Sequence, residues 1–195
     1  MKCSFEEVLI RHLGDGKSLS EVNDGNVFMI TNETVAVLNQ YITNLKGIEK
    51  FHKVKTLNFS ENKIEDINWF YMMPDPDFIE EVILSSNYIE NISPIKTFTN
   101  IDELNLSNNK LVDITPLKNL NNLKLLNLSY NSISDISLLS DLESLRNLSL
   151  KSNQISDISP LKELKGLFRI DLRDNPVNKQ DILDLEVELG TDINY

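Results

Sequence analysis

The chain has 195 residues, of which 41% are hydrophobic and 25% are charged, and its formal net charge is −11 at pH 7. Nucleic acids and anionic membranes are poor partners for so acidic a chain, because both reward clusters of lysine and arginine. The one cysteine, Cys3, excludes an internal disulfide framework and a cysteine-rich zinc site. No apolar run approaches the length of a transmembrane helix, and the N-terminus lacks the apolar stretch of a secretory signal. We therefore expect a cytoplasmic protein, or a secreted one if a signal peptide has been removed.

The first 31 residues read as a helical cap for the segment that follows them. Ser4 and Glu7 have the spacing of a capping box at a helix N-terminus. One face of the helix would carry four apolar residues and end at Gly14; these are Phe5, Val8, Leu9 and Leu13. The sequence thus predicts a helical N-terminal cap over residues 1–31.

From residue 32 to residue 177 the chain is a tandem repeat. Three segments of 22 residues are nearly the same, IDELNLSNNKLVDITPLKNLNN (101–122), LKLLNLSYNSISDISLLSDLES (123–144) and LRNLSLKSNQISDISPLKELKG (145–166). A strict period of this length indicates a solenoid, because each unit has an apolar edge that only the next copy can bury. With less regular copies included, the sequence predicts seven repeats, one of which has three extra residues within WFYMMPDPDF (69–78).

Each repeat begins with a predicted strand and a turn. Leu104 and Leu106 alternate with polar residues, which is the pattern of a short strand with one buried face. An asparagine follows each strand, and its side-chain amide can donate and accept hydrogen bonds for buried backbone groups at the turn. We interpret these asparagines as a structural ladder formed by Asn62, Asn87, Asn109, Asn131, Asn153 and Asn175.

The second half of each repeat predicts a short helical turn that returns the chain to the next strand. Ser93-Pro94, Thr115-Pro116 and Ser159-Pro160 each place a hydroxyl before a proline, so we expect the hydroxyl to cap a 3₁₀ or single α turn. After the last repeat, Asn178 precedes the helical pattern QDILDLEVELG. Residues 178–195 are therefore predicted to form a C-terminal helical cap, and the whole chain to form one continuous α/β domain.

The repeat sequence resembles that of a known family. The pattern N-x-I-x-D-I-S/T-P-L-x-x-L-x-x-L at 109–123 and 153–167 resembles the 22-residue leucine-rich repeats of bacterial internalins, and is similar to those of nuclear phosphatase-regulatory subunits. The resemblance covers about residues 32–177. It implies a right-handed solenoid with a parallel sheet on its concave face, which binds another protein. The ending departs from internalins, which usually continue into an immunoglobulin-like domain and a surface anchor.

Two groups of residues are candidate contacts. Most side chains expected on the open face of the sheet are small and polar, and four hydrophobic or aromatic exceptions are Ile83, Tyr88, Leu125 and Tyr130. We predict that these four residues bind a partner protein, and that Glu81 and Glu103 beside them attract a basic patch of that partner. On the opposite, convex side, Trp69, Tyr71 and Met72 are a possible second contact or dimer contact. The other interpretation is that these three residues pack under the loop that follows them. The function predicted is a monomeric protein-binding module; a cell-surface adhesin and a self-associating structural module are the alternatives.

Catalytic and metal sites have little support in the sequence. His12 and His52 do not have metal-ligand spacing, and the chain has no glycine-rich phosphate loop. Aspartates that recur at one position of the repeat could bind calcium, but such residues more often accept hydrogen bonds from backbone N–H groups of a turn. They are Asp66, Asp113, Asp135 and Asp157. We expect no enzyme activity, no cofactor and no metal.

Overall fold

A computed structural model describes residues 3–5, 23–24, 28–30, 33–191 and 193–195. These residues form twelve strands: β1 Cys3–Ser4, β2 Asn23–Asp24, β3 Phe28–Ile30, β4 Thr34–Val37, β5 Ile42–Asn44, β6 Thr56–Asn58, β7 Glu81–Ile83, β8 Glu103–Asn105, β9 Leu125–Asn127, β10 Asn147–Ser149, β11 Arg169–Asp171 and β12 Ile193–Asn194. Ten of them make one sheet, in the order β2-β3-β4-β6-β7-β8-β9-β10-β11-β12, while β1 pairs with β5.

The strands of the repeats are parallel and pair in register. Glu81 pairs with Glu103, and Glu103 with Leu125, so that equivalent positions of successive repeats form straight rows across the sheet. In each of these strands the middle residue is buried and the two flanking residues are partly exposed. The predicted parallel sheet is therefore confirmed, and its outer side chains form the open face, which is the concave face of the solenoid.

Short 3₁₀ turns form the opposite side of the solenoid, as predicted. They span Ile48–Lys50, Asn68–Met72, Pro76–Phe78, Ser93–Thr97, Thr115–Leu117, Ser137–Asp141 and Ser159–Glu163. The prediction that a serine or threonine hydroxyl caps these turns is wrong, because the N-cap residues are Ile92, Ile114 and Ile158 and the serine or threonine is the first residue inside the turn. Instead, Oδ1 of Asp157 accepts a hydrogen bond from the backbone N–H of Ser159 at 2.9 Å. A carboxylate two residues before the turn reaches that N–H without strain, as in an Asx turn.

The core is a column of apolar side chains between the sheet and the 3₁₀ turns. The repeat that begins at residue 101 contributes seven side chains that are at most 1% exposed: Ile101, Leu104, Leu106, Leu111, Ile114, Leu117 and Leu120. In the repeat with the insertion, Phe70 and Met73 are buried where other repeats have leucine. The rings of Phe70 and Phe98 have centroids 5.1 Å apart, so these two large side chains pack against each other in successive repeats.

The C-terminal segment combines a helix with a strand. Helix α1, Lys179–Leu189, begins after Asn178, whose side chain accepts a hydrogen bond from the N–H of Gln180, and ends at Gly190 in the left-handed conformation. Ile182 and Leu185 on α1 are buried against the last repeat. Strand β12 then pairs with β11, a feature that the prediction of a purely helical cap missed. It covers the backbone edge that the last repeat would otherwise expose.

The start of the solenoid is closed in part by strands. Strands β2 and β3 form an antiparallel pair that extends the sheet next to β4. The side chain of Phe5 is fully buried, with its ring 5.1 Å from that of Phe59. A purely helical N-terminal cap is therefore not confirmed, and most of the predicted helix over residues 4–13 lies outside the described residues. Across the described part of the chain, no helix has both the length and the apolar character needed to cross a membrane.

Candidate functional site

A shallow groove crosses the open face of the sheet from β8 to β11. Its volume is roughly 290 Å³, and it is lined by residues that include Glu103, Leu125, Asn147 and Arg169. These four residues are the first residues of β8, β9, β10 and β11, and the strand register places them side by side in one row. An acid, an apolar residue, an amide and a base therefore follow one another across the groove.

Within the part of the chain that the structure describes, three of these four residues have polar side-chain groups without partners. The side-chain oxygen of Asn147, Oδ1, is buried and has no hydrogen-bond partner among the described residues. Within the same ranges, the structure gives no hydrogen bond or ion pair to the side chain of Glu103 or of Arg169. Buried polar groups in native proteins are nearly always hydrogen-bonded, so the Asn147 oxygen is an exception that needs an explanation.

The acidic end of the groove has an unusual carboxyl group. Burial raises the pKa of Glu103, and the charges of Glu81 and Asp102 add to that increase. Glu81 itself accepts a hydrogen bond from the hydroxyl of Thr56 at 3.0 Å. Two adjacent carboxylates favour a cationic group in front of them.

Among the described residues, Arg169 is the cation that lines the basic end of the groove, and the paired cations Arg173 and Lys151 belong to the neighbouring turns. Arg173 donates from Nε and Nη2 to the carboxylate of Asp171 at 2.9 and 2.6 Å, and this pairing lowers the pKa of Asp171. Lys151 lies 3.7 Å from the carboxylate of Asp174. Arg169 is exposed and has no such partner among the described residues, so its guanidinium is the cation that an incoming group can meet.

The predicted contacts do not form one cluster. Ile83 lies on β7 and is separated from Leu125 on β9 by the polar strand β8. Tyr88 is not on the open face, because it lines a different groove with Asp66 and Asn91 at the start of the 3₁₀ turns. Tyr88 directly follows the ladder asparagine of its repeat, whereas Tyr130 directly precedes its own, and this two-position difference places them on different sides of the turn.

Tyr130 lies in the turn that follows β9 and has a backbone conformation that is unfavourable for a bulky residue. Its φ is 57°, its side chain is 49% exposed, and the Nζ of Lys151 lies 5.2 Å from its ring centroid. A bulky residue in the left-handed region costs about 1–2 kcal/mol. The equivalent positions of the other repeats also have positive φ and all carry polar residues, namely Asn39, Glu61, Ser86, Asn108, Ser152 and Asp174.

The ladder asparagines bind backbone groups and leave little for a ligand. The Nδ2 of Asn87 donates to the carbonyls of Phe59 at 2.9 Å and Leu84 at 3.1 Å, and its Oδ1 accepts from the N–H of Ile64 at 2.9 Å. The same set of bonds recurs at Asn62, Asn109, Asn131, Asn153 and Asn175. Each asparagine thus ties a turn to the preceding repeat.

The recurring aspartates also have structural partners. Each Oδ1 accepts from a backbone N–H two residues later at 2.7–2.9 Å, in the set Asp66, Asp113, Asp135 and Asp157. In the part of the chain that the structure describes, no group of three or more histidine, cysteine, aspartate or glutamate residues is placed to hold a metal. His52 pairs with Asp75 at 3.0 Å, whereas the side chains of His12 and Cys3 are outside the described residues.

The convex candidates divide into buried and exposed residues. Trp69 is partly buried against the core, but Tyr71 and Met72, on the same 3₁₀ turn, are 46% and 62% exposed. The Nζ of Lys96 lies 5.9 Å from the ring centroid of Tyr71. Packing under the following loop therefore does not account for Tyr71 and Met72.

Comparison with known proteins agrees with this geometry. Residues 79–119 and 121–163 match the family described as Leucine Rich repeats (2 copies). Among solved structures, the chain is similar to internalin C2 of Listeria monocytogenes, with 25% identity and a TM-score of 0.62, over 85% of this chain and 83% of that one. A comparison with curated protein sequences finds no match.

Two larger proteins share the fold. An internalin, inlF, of Listeria monocytogenes has 22% identity and a TM-score of 0.69 over 87% of this chain and 58% of its own. A leucine-rich-repeat protein of Leptospira interrogans has 21% identity and a TM-score of 0.66 over 84% of this chain and 48% of its own. The chain thus spans less than two thirds of either. The family match over residues 79–163, the parallel sheet and the 3₁₀ turns support an internalin-like leucine-rich-repeat protein.

Proposed function

We propose that this chain is a non-catalytic protein-interaction module whose partner binds the open, concave face of the sheet. The observation that carries the proposal is the buried oxygen of Asn147, which lies without a hydrogen-bond partner beside Leu125 in the groove. A partner that supplies a hydrogen-bond donor and an apolar contact would satisfy this acceptor and cover the partly exposed leucine.

The backbone around the groove supports the same function. Parallel strands and ladder asparagines fix the sheet before binding, so association orders few groups of this chain and affinity depends on a small number of contacts. Tyr130 places a large, half-exposed ring at a turn position where the other repeats have polar side chains. We infer that Leu125 and Tyr130 are the main contacts.

The proposal is tested by capturing partners from native lysate with three immobilised forms of the chain. These are the wild type, the double variant Leu125→Asp with Tyr130→Ala, and the control Val112→Asp, whose position is 60% exposed and outside the groove. We expect the wild type and the control to retain the same protein and the double variant to lose it, with unchanged circular dichroism in all three. Equal retention by a folded double variant would contradict the proposal.

Self-association through the convex side is the second candidate. Tyr71 and Met72 favour it, because these two large hydrophobic side chains are exposed side by side on one 3₁₀ turn. Light scattering over a range of concentrations distinguishes the two functions. A constant monomer mass supports the concave-face module, and a dimer that Met72→Lys dissociates supports self-association. A cytoplasmic location remains a prediction, which cell fractionation tests.

A further inference from the structure

We propose that the concave groove recognises a helix of the partner protein in one orientation, with a basic group of that helix at Glu103 and an acidic group at Arg169. The inference rests on the proposed function and adds the chemistry of the partner to it. Its basis is the row formed by Glu103, Leu125, Asn147 and Arg169, which the strand register places on four consecutive strands.

The two charges at the ends of this row are available to a partner. Among the described residues, neither Glu103 nor Arg169 has an ionic partner, whereas the neighbouring Arg173 and Asp171 are bound to each other at 2.6 Å. Glu81 lies beside Glu103 in the same row and adds to the negative potential at that end. Because the chain as a whole has a net charge of −11, an acidic group of a partner is repelled from most of its surface. The Arg169 end of the row is where such a group is favoured.

The middle of the row defines the central contact. Leu125 offers an apolar surface, and the Oδ1 of Asn147 offers an acceptor with no partner within the described ranges. A complementary segment therefore has a basic residue, an apolar residue near its centre, a hydrogen-bond donor and an acidic residue, in that order. This sequence of chemical groups has a direction, which fixes the direction of the partner.

The occupant is a helix because of the position and span of the row. Glu103 and Arg169 are three strand spacings apart, about 14 Å, which a helix covers in about nine or ten residues. An extended segment cannot join the sheet here, because β8 to β11 already pair with strands on both sides. A second copy of the chain fits less well, since two concave faces do not have complementary shapes.

The test uses two synthetic helical peptides of 14 residues with the same composition. In the first, glutamates are at the N-terminal end, leucines are in the middle, and lysines are at the C-terminal end, an order that the helix dipole also favours. In the second, glutamates and lysines alternate along the peptide. Both carry a nitroxide at the C-terminal end, and each is titrated into ¹⁵N-labelled protein. We expect the first peptide to bind about fivefold more tightly than the second. Its nitroxide should broaden the amide signals near Glu103 more than those near Arg169.

Two variants check that the charges set the direction. The double variant Glu103→Arg with Arg169→Glu keeps the net charge, and we expect the broadening to move to residue 169. The variant Glu103→Gln with Arg169→Gln should bind both peptides equally. The inference would be overturned if neither peptide binds, or if the wild-type protein binds both peptides with equal affinity. It would also be overturned if the broadening stays near residue 103 in the charge-swapped variant. Concentration-dependent shifts of the same amides without peptide would identify a second copy as the occupant and would also overturn it.

Failure of this inference differs from failure of the proposed function. Suppose that the captured protein is lost by Leu125→Asp with Tyr130→Ala but retained by Glu103→Arg with Arg169→Glu. This result would support the concave face as the binding surface and contradict the fixed orientation. Loss of the same protein by both variants supports the orientation as well as the surface.

Discussion

Tyr130 and Lys151 meet across two successive repeats, with the Nζ of Lys151 5.2 Å from the ring centroid of Tyr130. The contact also holds through the backbone, because the N–H of Tyr130 donates to the carbonyl of Lys151 at 2.7 Å. Tyr130 makes this contact from the left-handed region, with φ of 57°. The exposed ring is therefore held in place by a conformation that most residues avoid.

Replacement of Tyr130 with asparagine should stabilise the protein while weakening partner binding. Asn108 occupies the same position of an earlier repeat with φ of 55°, and asparagine tolerates that conformation well. We expect a gain of about 0.5–1 kcal/mol in the free energy of unfolding, measured by urea denaturation. Asn108→Tyr is the matched control and should lose a similar amount. A Tyr130→Asn variant that is less stable than wild type would show that the ring contact outweighs the strain.

Removal of one ladder asparagine should destabilise the solenoid strongly. Asn87 is 4% exposed, and its replacement by alanine leaves buried carbonyls of Phe59 and Leu84 without donors. We expect a loss of about 3 kcal/mol in urea denaturation, because each unsatisfied buried group costs about 1–3 kcal/mol. Asn119→Ala, at an exposed turn position, should change stability by less than about 0.5 kcal/mol. A similar effect of both substitutions would refute the role of the ladder.

The aspartate of the turn should make stability depend on pH. The hydroxyl and the backbone N–H of Ser159 hold the pKa of Asp157 below its ordinary value. A lowered pKa means that its stabilising contribution is present above the unfolded-state pKa, about 3.9, and is lost as the pH falls through the folded-state value. Asp157→Ala should therefore melt below wild type at pH 7, and the difference should shrink towards pH 2.

The neutral analogue separates hydrogen bonding from charge. Asn91 accepts the same type of hydrogen bond from the N–H of Ser93 at 2.8 Å in its own repeat. Asp157→Asn should keep most of the stability at pH 7 and lose its dependence on pH. If Asp157→Ala lowered the melting temperature by the same amount at every pH, the charge of Asp157 would not be the source of the pH dependence.

The carboxyl group of Glu103 should have the opposite pH dependence. Its pKa is raised by burial and by Glu81, so the charged form costs stability above that pKa and the cost disappears when the group is protonated at low pH. Glu103→Gln should therefore raise the melting temperature at pH 7 and leave it unchanged near pH 3, as measured by circular dichroism. Glu163→Gln, at an exposed position, is the control and should have little effect. A lower melting temperature of Glu103→Gln at pH 7 would be inconsistent with an unpaired charge at this position.

The sequence predicted the repeat architecture well because local pattern and stacking agree in this fold. Alternating leucines and a regularly spaced asparagine define both the strand and its register, and the observed pairing of Leu104 with Leu126 follows from the 22-residue period. Strand β12 was missed because two residues carry no pattern of their own. Their conformation depends on pairing with Ile170 and Asp171 at the edge of the sheet.

The candidate site was only partly predictable. Leu125 and Tyr130 could be predicted as contacts because large hydrophobic residues are rare at the exposed positions of these repeats. Tyr88 was assigned to the wrong face because a single asparagine separates the two sides of the turn. Asn147 and Arg169 look like ordinary polar positions of the repeat. What distinguishes them is the absence of a partner within the described residues, and that depends on three-dimensional neighbours that the sequence pattern does not specify.

Site-specific photocrosslinking in native lysate tests the concave-face function most directly. A benzoylphenylalanine at Asn127, on β9 beside Leu125, is compared with one at Val112, which is exposed outside the groove. We predict that the Asn127 probe links covalently to one partner protein, that added Leu125→Asp abolishes the link, and that the Val112 probe forms none. A partner that crosslinks to position 112 and not to position 127 would contradict binding through the concave sheet.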